Sequence, residues 1–255
     1  MAESNTRIAL ITGASRGLGR SAALKLAEQG MDIILTYKDN GNKAQEVVHQ
    51  ITALGRKAVS LQLDVGDSGG FSAFAGRVKG ALLDTWQRDQ FDCLVNNAGT
   101  GLQAPFAETT EEQFDMLVDI HLKGTFFLTQ KLLPLIRDGG RIVNISSGLA
   151  RFSFPGYAAY AVMKGGIEVM TRYMAKELGP RGISVNTIAP GAIETDFGGG
   201  AVRDNAQVNA QIASITAMGR VGLPDDVGGA VAALLADGTH WISGQRIEVS
   251  GGMVL

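Results

Sequence analysis

The feature that most constrains the fold is an apolar run near the N-terminus that ends in a glycine-rich turn and continues as a helical pattern. Residues 7–12 (RIALIT) have the length of a buried strand, and the turn at residues 13–19 (GASRGLG) leads into a helical pattern that stops at Gly30. A strand, a glycine turn and a helix N-terminus make an anion site from backbone N–H groups and the helix dipole. The segment therefore predicts the first unit of a dinucleotide-binding domain, with the spacing G-x-x-x-G-x-G.

Strand and helix patterns alternate along the rest of the chain, without a linker or a repeat. Further strands are predicted at 31–37, 57–63, 91–95, 142–145, 183–189 and 245–249, and helices at 42–54, 68–88, 111–136, 157–178 and 224–236. This alternation predicts a single α/β domain over residues 1–255, a doubly wound Rossmann-type fold with a seven-stranded parallel sheet and helices on both faces. We expect residues 1–140 to hold the cofactor and residues 141–255 to carry the catalytic and substrate-binding groups.

Charge and composition argue against several functional classes. The net charge is −2 and no cluster of lysine and arginine is present, which disfavours a nucleic acid or an anionic membrane as a partner. The N-terminal residues MAESNTR lack a signal pattern and no apolar run reaches membrane-spanning length, so we expect a cytoplasmic protein. The single cysteine, Cys93, falls in a predicted strand, and we interpret it as a buried packing residue.

Three residues in the second half have the spacing of a proton-transfer site. Ser147 follows the predicted strand 142–145, and Tyr160 and Lys164 are four residues apart in the next helical pattern, on one face of the helix. A free tyrosine has a pKa of about 10, and an ammonium one turn away is expected to lower it. If Ser147 holds a carbonyl or carbinol oxygen, the set suits proton transfer at a carbon that gains or loses hydride. Tyr-x-x-x-Lys alone is more often a surface pair, so the prediction depends on the rest of the chain.

The end of the second predicted strand favours NADP over NAD. This position contacts the adenosine ribose in dinucleotide folds, and an acidic residue there would repel a 2′-phosphate. Tyr37 and Lys38 stand at this end, and Arg16 lies in the glycine turn, so two cations are available for charge-assisted bonds to phosphate. The alternative is that both are solvated surface charges, and Asp39 weakens the phosphate interpretation. Asp64 lies beside the adenine or caps the following helix, and the two roles can coexist.

Together these motifs resemble the short-chain dehydrogenase/reductase family over essentially the whole chain. They are TGASRGLG at 12–19, Asp64, NNAG at 96–99, a serine thirteen residues before the tyrosine, YAVMK at 160–164, PGAIET at 190–195 and the GQRIEVSGG end. Their common order is far more specific than any one of them. The resemblance implies that Ser147 orients the substrate oxygen, that Tyr160 is the general acid/base, and that Lys164 lowers its pKa and holds the nicotinamide ribose.

The resemblance also implies an NADP(H) cofactor, with NAD less favoured, no metal, and a homotetramer formed partly by the helices that begin near Glu111 and Tyr157. The implied cofactor-binding residues are Gly13, Ser15, Arg16, Gly17, Leu18, Gly19, Tyr37, Lys38, Asp64, Val65, Asn97, Ala98, Gly99, Tyr160, Lys164, Pro190, Gly191, Ile193 and Thr195.

One position of the middle helix departs from the family pattern. The family usually carries an asparagine in a V-N-x-x-G context, where it anchors water in a proton relay behind the lysine. The matching segment here is Ile120 to Gly124, with His121 in place of the asparagine. A neutral imidazole has a donor and an acceptor and could relay a proton. A histidine satisfied within a packing face is the alternative, and the sequence leaves both open.

The motifs predict an NADP(H)-dependent oxidoreductase that interconverts a ketone and a secondary alcohol. One alternative is a 3-oxoacyl-carrier-protein reductase, which would need a basic surface for its acidic carrier. The other is a non-catalytic NADP(H)-sensing protein, which would have little reason to keep the serine, tyrosine and lysine together.

The segments expected to contact the substrate are 101–108, 149–157 and 196–220, the last of which contains the glycine triplet 198–200 and predicts a mobile flap. Their large side chains predict an apolar substrate; they are Leu102, Phe106, Phe152, Phe154, Tyr157 and Phe197.

Overall fold

The computed structural model describes residues 6–255 and places seven strands in one parallel sheet. The strands are β1 (Ile8–Ile11), β2 (Asp32–Tyr37), β3 (Ala58–Gln62), β4 (Phe91–Asn96), β5 (Ile136–Ile145), β6 (Ser184–Pro190) and β7 (Arg246–Val249). Their order across the sheet is β3-β2-β1-β4-β5-β6-β7, so the chain changes its direction of winding between β1 and β4. The predicted doubly wound α/β fold is therefore confirmed, and its switch point is where ligands bind in such sheets.

Helices cover both faces of the sheet. They are α1 (Gly17–Glu28), α2 (Gly41–Ala53), α3 (Phe71–Trp86), α4 (Glu111–Leu117), α5 (Gly124–Leu132), α6 (Ala158–Leu178), α7 (Ala201–Asp204), α8 (Ala206–Ser214) and α9 (Pro224–Leu234). Successive strand residues point to opposite faces. In β1, Ala9 and Ile11 pack beneath α1, α2 and α9, whereas Ile8 and Leu10 pack beneath α3 and α5. Because both faces are covered, β1 is apolar at every position.

The prediction of one long helix over 111–136 is wrong in two respects: the helix is not continuous, and it ends before residue 136. It consists of α4, a π-helical turn at Val118–Lys123 and α5, followed by a short 3-10 turn at Leu133–Leu135. Pro134 sits within that 3-10 turn, which fits its inability to continue an α-helix. Strand β5 then begins at Ile136, which pairs with Phe91 of β4. A π-helical turn widens a helix locally and is often found at functional sites.

The predicted flap at 196–220 contains little strand, as expected, but it is largely helical. A 3-10 turn at Phe197–Gly200 leads into α7 and α8. Gly198, Gly199 and Gly200 all have positive φ angles, between 61° and 80°, which residues with a side chain rarely adopt. The glycine triplet thus forms the tight bend that starts the helical part of the flap.

Cys93 lies in β4 with 1 % of its surface exposed, and burial raises the pKa of its thiol to about 12. This agrees with the predicted packing role. Between residues 6 and 255, no helix combines the length and the apolar character that crossing a bilayer requires. The same residues contain no group of three or more His, Cys, Asp or Glu side chains placed to hold a metal ion.

Candidate active site

A cavity of about 800 Å³ lies at the carboxyl ends of the strands. The turns after β1, β2, β4, β5 and β6 all contribute to its wall, as the winding of the sheet requires. Eighteen of the nineteen residues predicted to bind the cofactor line this cavity, and Gly19 is the exception. A Cβ atom at Gly19 would lie 2.5 Å from the carbonyl oxygen of Gly13 and 2.5 Å from Nδ2 of Asn97. Gly19 therefore allows α1 to pack closely against the two turns.

The glycine turn after β1 is built to receive an anion. Gly13 has a φ of +64°, and a Cβ atom there would lie 2.9 Å from Cα of Ala98. Arg16 is the N-cap residue of α1 but its side chain makes no capping hydrogen bond. The N–H groups of the first turn of α1 therefore lack a side-chain partner, which suits a diphosphate. This cradle fits the dinucleotide that the sequence predicts.

Asn97 ties this turn to the one after β4. Its Nδ2 donates hydrogen bonds to the carbonyl oxygens of Thr12 (2.8 Å) and Gly13 (3.1 Å). The Thr12 hydroxyl in turn accepts from the backbone N–H groups of Asn97 and Ala98, each at 2.9 Å. The two motifs thus form one rigid unit that is held largely by backbone groups.

The cations expected to meet a 2′-phosphate line the cavity, but each is paired with a carboxylate. The Lys38 ammonium lies 2.9 Å from Asp64, and the Arg16 guanidinium lies 3.7 Å from Asp196 of the flap. The hydrogen bond from Lys38 lowers the pKa of the Asp64 carboxyl. Lys43, in the first turn of α2, also lines the cavity beside Lys38, and it was not predicted from the sequence. A bound 2′-phosphate would therefore have to replace these carboxylates as the partner of the two cations.

Asp64 does not cap the following helix. Its Oδ1 accepts a hydrogen bond from the N–H of Gly66 at 2.9 Å and so stabilises the turn after β3. The residue that caps the 3-10 turn before α3 is Asp67, which accepts from the N–H of Gly69. Asp64 thereby keeps its carboxylate at the cavity wall.

The three predicted catalytic residues lie together on the cavity wall. Ser147 follows β5 in an extended conformation, and its hydroxyl oxygen accepts from the N–H of Leu149 at 3.2 Å. Tyr160 and Lys164 project from α6 and are only 6 % and 5 % exposed. The Lys164 Nζ donates to the carbonyl oxygen of Ile145 at 2.8 Å and lies 5.5 Å from the centroid of the Tyr160 ring.

The electrostatics of this pair differ from the sequence prediction, which has the ammonium lowering the pKa of the phenol. Burial raises the pKa of Tyr160 above its ordinary value, and the Ser147 hydroxyl only partly opposes the rise. Burial also lowers the pKa of Lys164 to about 7, because the site stabilises a charge poorly. Lys164 donates to the carbonyl oxygen of Ile145 and no hydrogen bond joins it to the Tyr160 hydroxyl. The Tyr160 phenol is thus neutral near pH 7 in this structure.

His121 lies in the π-helical turn, buried beneath Tyr160. Its Nε2 is 2.8 Å from the carbonyl oxygen of Thr100, which can only accept, so Nε2 carries the proton. The ring meets Tyr160 edge to face, with centroids 5.4 Å apart. Burial, and secondarily the charge of Lys164, lowers the pKa of His121 to about 3, so the ring is neutral near pH 7. A Cβ atom at Gly99 would lie 2.7 Å from this ring, so the glycine makes room for the histidine.

The substrate side of the cavity is rich in aromatic side chains, but not all of the predicted ones. Phe152, Phe154, Tyr157 and Phe197 line it, and the Phe197 ring lies 5.7 Å from that of Tyr160. Leu102 and Phe106 do not line it, which corrects the prediction. Phe106 is 86 % exposed, and Leu102 packs against a small cluster formed by Leu117, Tyr160 and Met163.

Several apolar lining residues were not named individually from the sequence, although Leu149, Val202 and Ile212 fall within the predicted segments 149–157 and 196–220. They are Met116, Ile120, Leu149, Val202, Ile212 and Met253. The spacing of Met116 and Ile120, one helical turn apart, is a signal that could have found them. No sequence signal marks Met253, because it reaches the site from the last residues of the chain.

The chain is similar to known reductases over nearly its whole length. A family model described as Enoyl-(Acyl carrier protein) reductase matches residues 13–254. The 3-oxoacyl-[acyl-carrier-protein] reductase FabG of Staphylococcus aureus is 37 % identical, and the match covers 98 % of this chain and 99 % of that protein.

Two solved structures are similar throughout. The promiscuous reductase LugOII, which catalyses keto-reduction at C1 during lugdunomycin biosynthesis, has a TM-score of 0.93 and 38 % identity, with 100 % of both chains covered. The angucycline C-6 ketoreductase LanV with bound NADP has a TM-score of 0.92 and 33 % identity, with 97 % of this chain and 95 % of that chain covered.

Proposed function

Because the chain belongs to the short-chain dehydrogenase/reductase family, we propose that it is an NADP(H)-dependent oxidoreductase that interconverts a ketone and a secondary alcohol. One observation carries the proposal. Ser147, Tyr160 and Lys164 line the same cavity as the anion cradle at the N-terminus of α1. A sensing protein would need the cradle alone.

Ser147 and Tyr160 handle the substrate oxygen in this proposal. The Ser147 hydroxyl donates a hydrogen bond to the ketone oxygen, and the neutral phenol of Tyr160 supplies the proton that this oxygen gains. An alkoxide is a stronger base than a phenolate, so the transfer is favourable even though burial raises the pKa of Tyr160. The protonated phenol favours reduction, whereas oxidation of the alcohol needs the phenolate and should speed up as the pH rises.

NADPH, when bound, supplies the hydride. The residues that would hold it are those around Gly13 and Arg16 for the diphosphate and Lys38 with Arg16 for the 2′-phosphate. Lys164 would hold the nicotinamide ribose. Its pKa of about 7 means that it can carry or release a proton near neutral pH. The NADP bound to LanV supports this choice of cofactor.

The proposed substrate is an apolar ketone with room for a ring. The aromatic side chains of Phe152, Phe154 and Phe197 line the cavity, and Phe152 and Phe154 have ring centroids 5.4 Å apart. Flat apolar surfaces pack well against such side chains. The names of LugOII and LanV, which both describe ketone reduction, support the reaction class.

The direct test mixes the protein with NADPH and a panel of ketones, diketones and quinones and follows the loss of NADPH absorbance. The proposal predicts turnover of ring-bearing ketones such as β-tetralone, and a preference for NADPH over NADH. Binding of NADPH without turnover across the panel would instead support a sensing protein.

A second candidate is a 3-oxoacyl-carrier-protein reductase, favoured by the similarity to FabG. Such an enzyme needs cations that attract an acidic carrier. The arginines described near the flap are paired with carboxylates: Arg16 and Arg203 both contact Asp196, and Arg203 also contacts Asp204. Comparing acetoacetyl-carrier protein with the same acyl group on a small thiol separates the candidates. A carrier-loaded substrate used at least about tenfold better would favour this second function.

We also propose that the protein is a homotetramer. Helices α5 and α6 expose apolar side chains, namely Phe126, Phe127, Val162 and Val169. Exposed apolar patches on helix faces mark protein contacts. Light scattering on the purified protein should give four times the chain mass; a monomer at micromolar concentration would contradict this.

A further inference from the structure

We propose that Arg151 is a positioning residue that sets the shape of the substrate side of the cavity. Arg151 is not itself a lining residue, but Phe152, its neighbour, and Met253, at the C-terminal end of the chain, both are. The inference rests on the proposed ketone reduction, because it concerns the substrate of that reaction. Arg151 lies outside the proposed catalytic set of Ser147, Tyr160 and Lys164.

Arg151 joins the loop after β5 to the C-terminal segment. Its Nε and one terminal nitrogen donate to the two carboxylate oxygens of Glu248, each at 2.7 Å. Its terminal nitrogens also donate to the carbonyl oxygens of Met253 (2.8 Å) and Val254 (3.0 Å). A planar guanidinium can make this set of bonds at once, whereas a lysine ammonium cannot reproduce the paired geometry. Four bonds thus hold two segments that are about a hundred residues apart in the chain.

Glu248 is prepared for this partner. Its carboxylate also accepts from the Ser250 hydroxyl at 2.7 Å and from Arg246 at 2.8 Å. Arg151 is the largest cause that lowers the pKa of Glu248, to about 2. The carboxylate therefore stays charged at any pH at which the enzyme would work, so the ion pair with Arg151 does not depend on pH in that range.

On the loop side, Arg151 covers the ring of Phe152. The guanidinium carbon lies 5.2 Å from the ring centroid, a cation–π contact. The opposite constraint is Gly148, where a Cβ atom would lie 2.6 Å from the Phe152 ring. Gly148 directly follows Ser147, so the Phe152 ring lies against the chain neighbour of the residue proposed to hold the substrate oxygen. Any shift of this ring would change the space next to the ketone.

On the C-terminal side, Arg151 supports the backbone of Met253. Met253 is 2 % exposed. The segment around it also pairs with the end of the flap, through hydrogen bonds from Met218 to Gly251 (3.0 Å) and from Val254 to Ile215 (2.9 Å). Met253 is therefore held by the flap and by Arg151, and its own N–H also donates to Ser250, at 3.2 Å to the carbonyl oxygen and 3.3 Å to the hydroxyl. Removing Arg151 removes the link between this wall and the loop after β5.

The competing explanation is that Arg151 only stabilises the fold. An exposed ion pair contributes little to stability, so the two explanations predict different kinetics. A positioning residue for the substrate changes the KM for the ketone and leaves the KM for NADPH and kcat nearly unchanged. A merely structural residue would change all three together or none.

The test compares Arg151→Gln with Arg77→Gln. Arg77 is a matched control, because its guanidinium also lies over a phenylalanine ring, that of Phe74 at 5.4 Å, and donates to a carbonyl oxygen, that of Gln62 at 2.7 Å. It does not line the cavity. We expect Arg151→Gln to raise the KM for β-tetralone about tenfold, with the KM for NADPH and kcat within about twofold of wild type. Arg77→Gln should match wild type, and Arg151→Lys should recover part of the loss.

Two further measurements keep the test decisive. Glu248→Gln removes the same link from the other side, and it should raise the KM for β-tetralone in the same way. Calorimetric binding of β-naphthol to the NADP-saturated protein needs no turnover, and it should weaken about tenfold in Arg151→Gln. An unchanged β-naphthol affinity, or equal losses in every kinetic constant, would overturn the proposal, as would a wild type that binds no β-naphthol. A wild type that binds β-naphthol but reduces no ketone would refute the proposed function. In that case the β-naphthol affinity of Arg151→Gln alone would test the role of Arg151.

Discussion

The two ends of the cavity are built in different ways. The coenzyme end, formed by residues 12–19 and 96–99, is held by backbone groups, by Asn97 and Thr12, and by glycines that nothing larger could replace. The substrate end, formed by the loop after β5, the flap and the C-terminal segment, is held by charged side chains such as Arg151 and Asp196. We therefore expect substitutions at the coenzyme end to be limited by close backbone contacts, and substitutions at the substrate end to act through these charged side chains.

The sharpest test of this difference is Gly13→Ala. The positive φ of Gly13 and the 2.9 Å approach to Cα of Ala98 leave no room for a methyl group, and the neighbour is backbone. Strain of about 3 kcal/mol should weaken NADPH binding roughly a hundredfold, measured by fluorescence titration. Gly30→Ala is the control, since Gly30 also has a positive φ, +89°, but a Cβ atom there meets nothing within 4 Å. Equal effects of the two variants would mean that conformation alone, not the close approach, limits the coenzyme end.

His121 joins the two ends of the cavity, since it is hydrogen-bonded to Thr100 and packs on Tyr160. We expect it to make the free energy of unfolding depend on pH. Its folded pKa of about 3 lies below the ordinary value of 6.5. Between these values the unfolded chain binds a proton that the folded chain does not, so stability falls as the pH falls from 6.5. The loss should be about 1.4 kcal/mol for each pH unit well below 6.5.

His121→Asn should flatten this slope in urea unfolding measured at pH 7 and pH 5. His49→Asn, on the exposed side of α2, is the matched control and should keep the wild-type slope. A slope that persists in His121→Asn would show that another group takes up the proton. The proton-relay hypothesis for His121 needs a different variant, because asparagine is the residue that the family uses for the relay at this position. If His121 relays a proton, His121→Leu should slow turnover and His121→Asn should not.

Lys38→Ala should lower the preference for NADPH over NADH about tenfold, since it removes a charge-assisted bond of about 1.5 kcal/mol to the 2′-phosphate. NADH affinity should change little, and the ratio of the two dissociation constants is the quantity to measure. Lys176→Ala, in the last turn of α6 and away from the cavity, is the control. An unchanged ratio would mean that Lys38 serves only its ion pair with Asp64.

The smallest expected effect is that of Asp196→Asn. It removes the carboxylate that pairs with Arg16 at 3.7 Å across the cavity. Because exposed ion pairs contribute up to about 1 kcal/mol, NADPH should bind tighter by at most about fivefold. Weaker NADPH binding in this variant would show that the flap contact helps to hold the coenzyme rather than competing with it.

The same division largely separates the residues that could be predicted from the sequence from those that could not. The glycine turn, Asn97 and the set of Ser147, Tyr160 and Lys164 could be predicted, because each depends on short spacing and on the ends of strands. Met253 and Arg151 could not, since neither belongs to a motif at the end of a strand and only the folded chain brings Arg151 to Glu248 and Met253. The direction of the Tyr160 pKa was also missed, because burial depends on the packing of the whole site.

The most direct test of the account is the turnover of Tyr160→Phe on a ketone that the wild type reduces, with NADPH affinity measured on the same samples. Tyr173→Phe serves as control, since Tyr173 lies on the same helix with 67 % of its surface exposed. We expect kcat to fall roughly 10²- to 10⁴-fold in Tyr160→Phe while NADPH binds nearly as in wild type. Tyr173→Phe should be unaffected. Full turnover by Tyr160→Phe would contradict it.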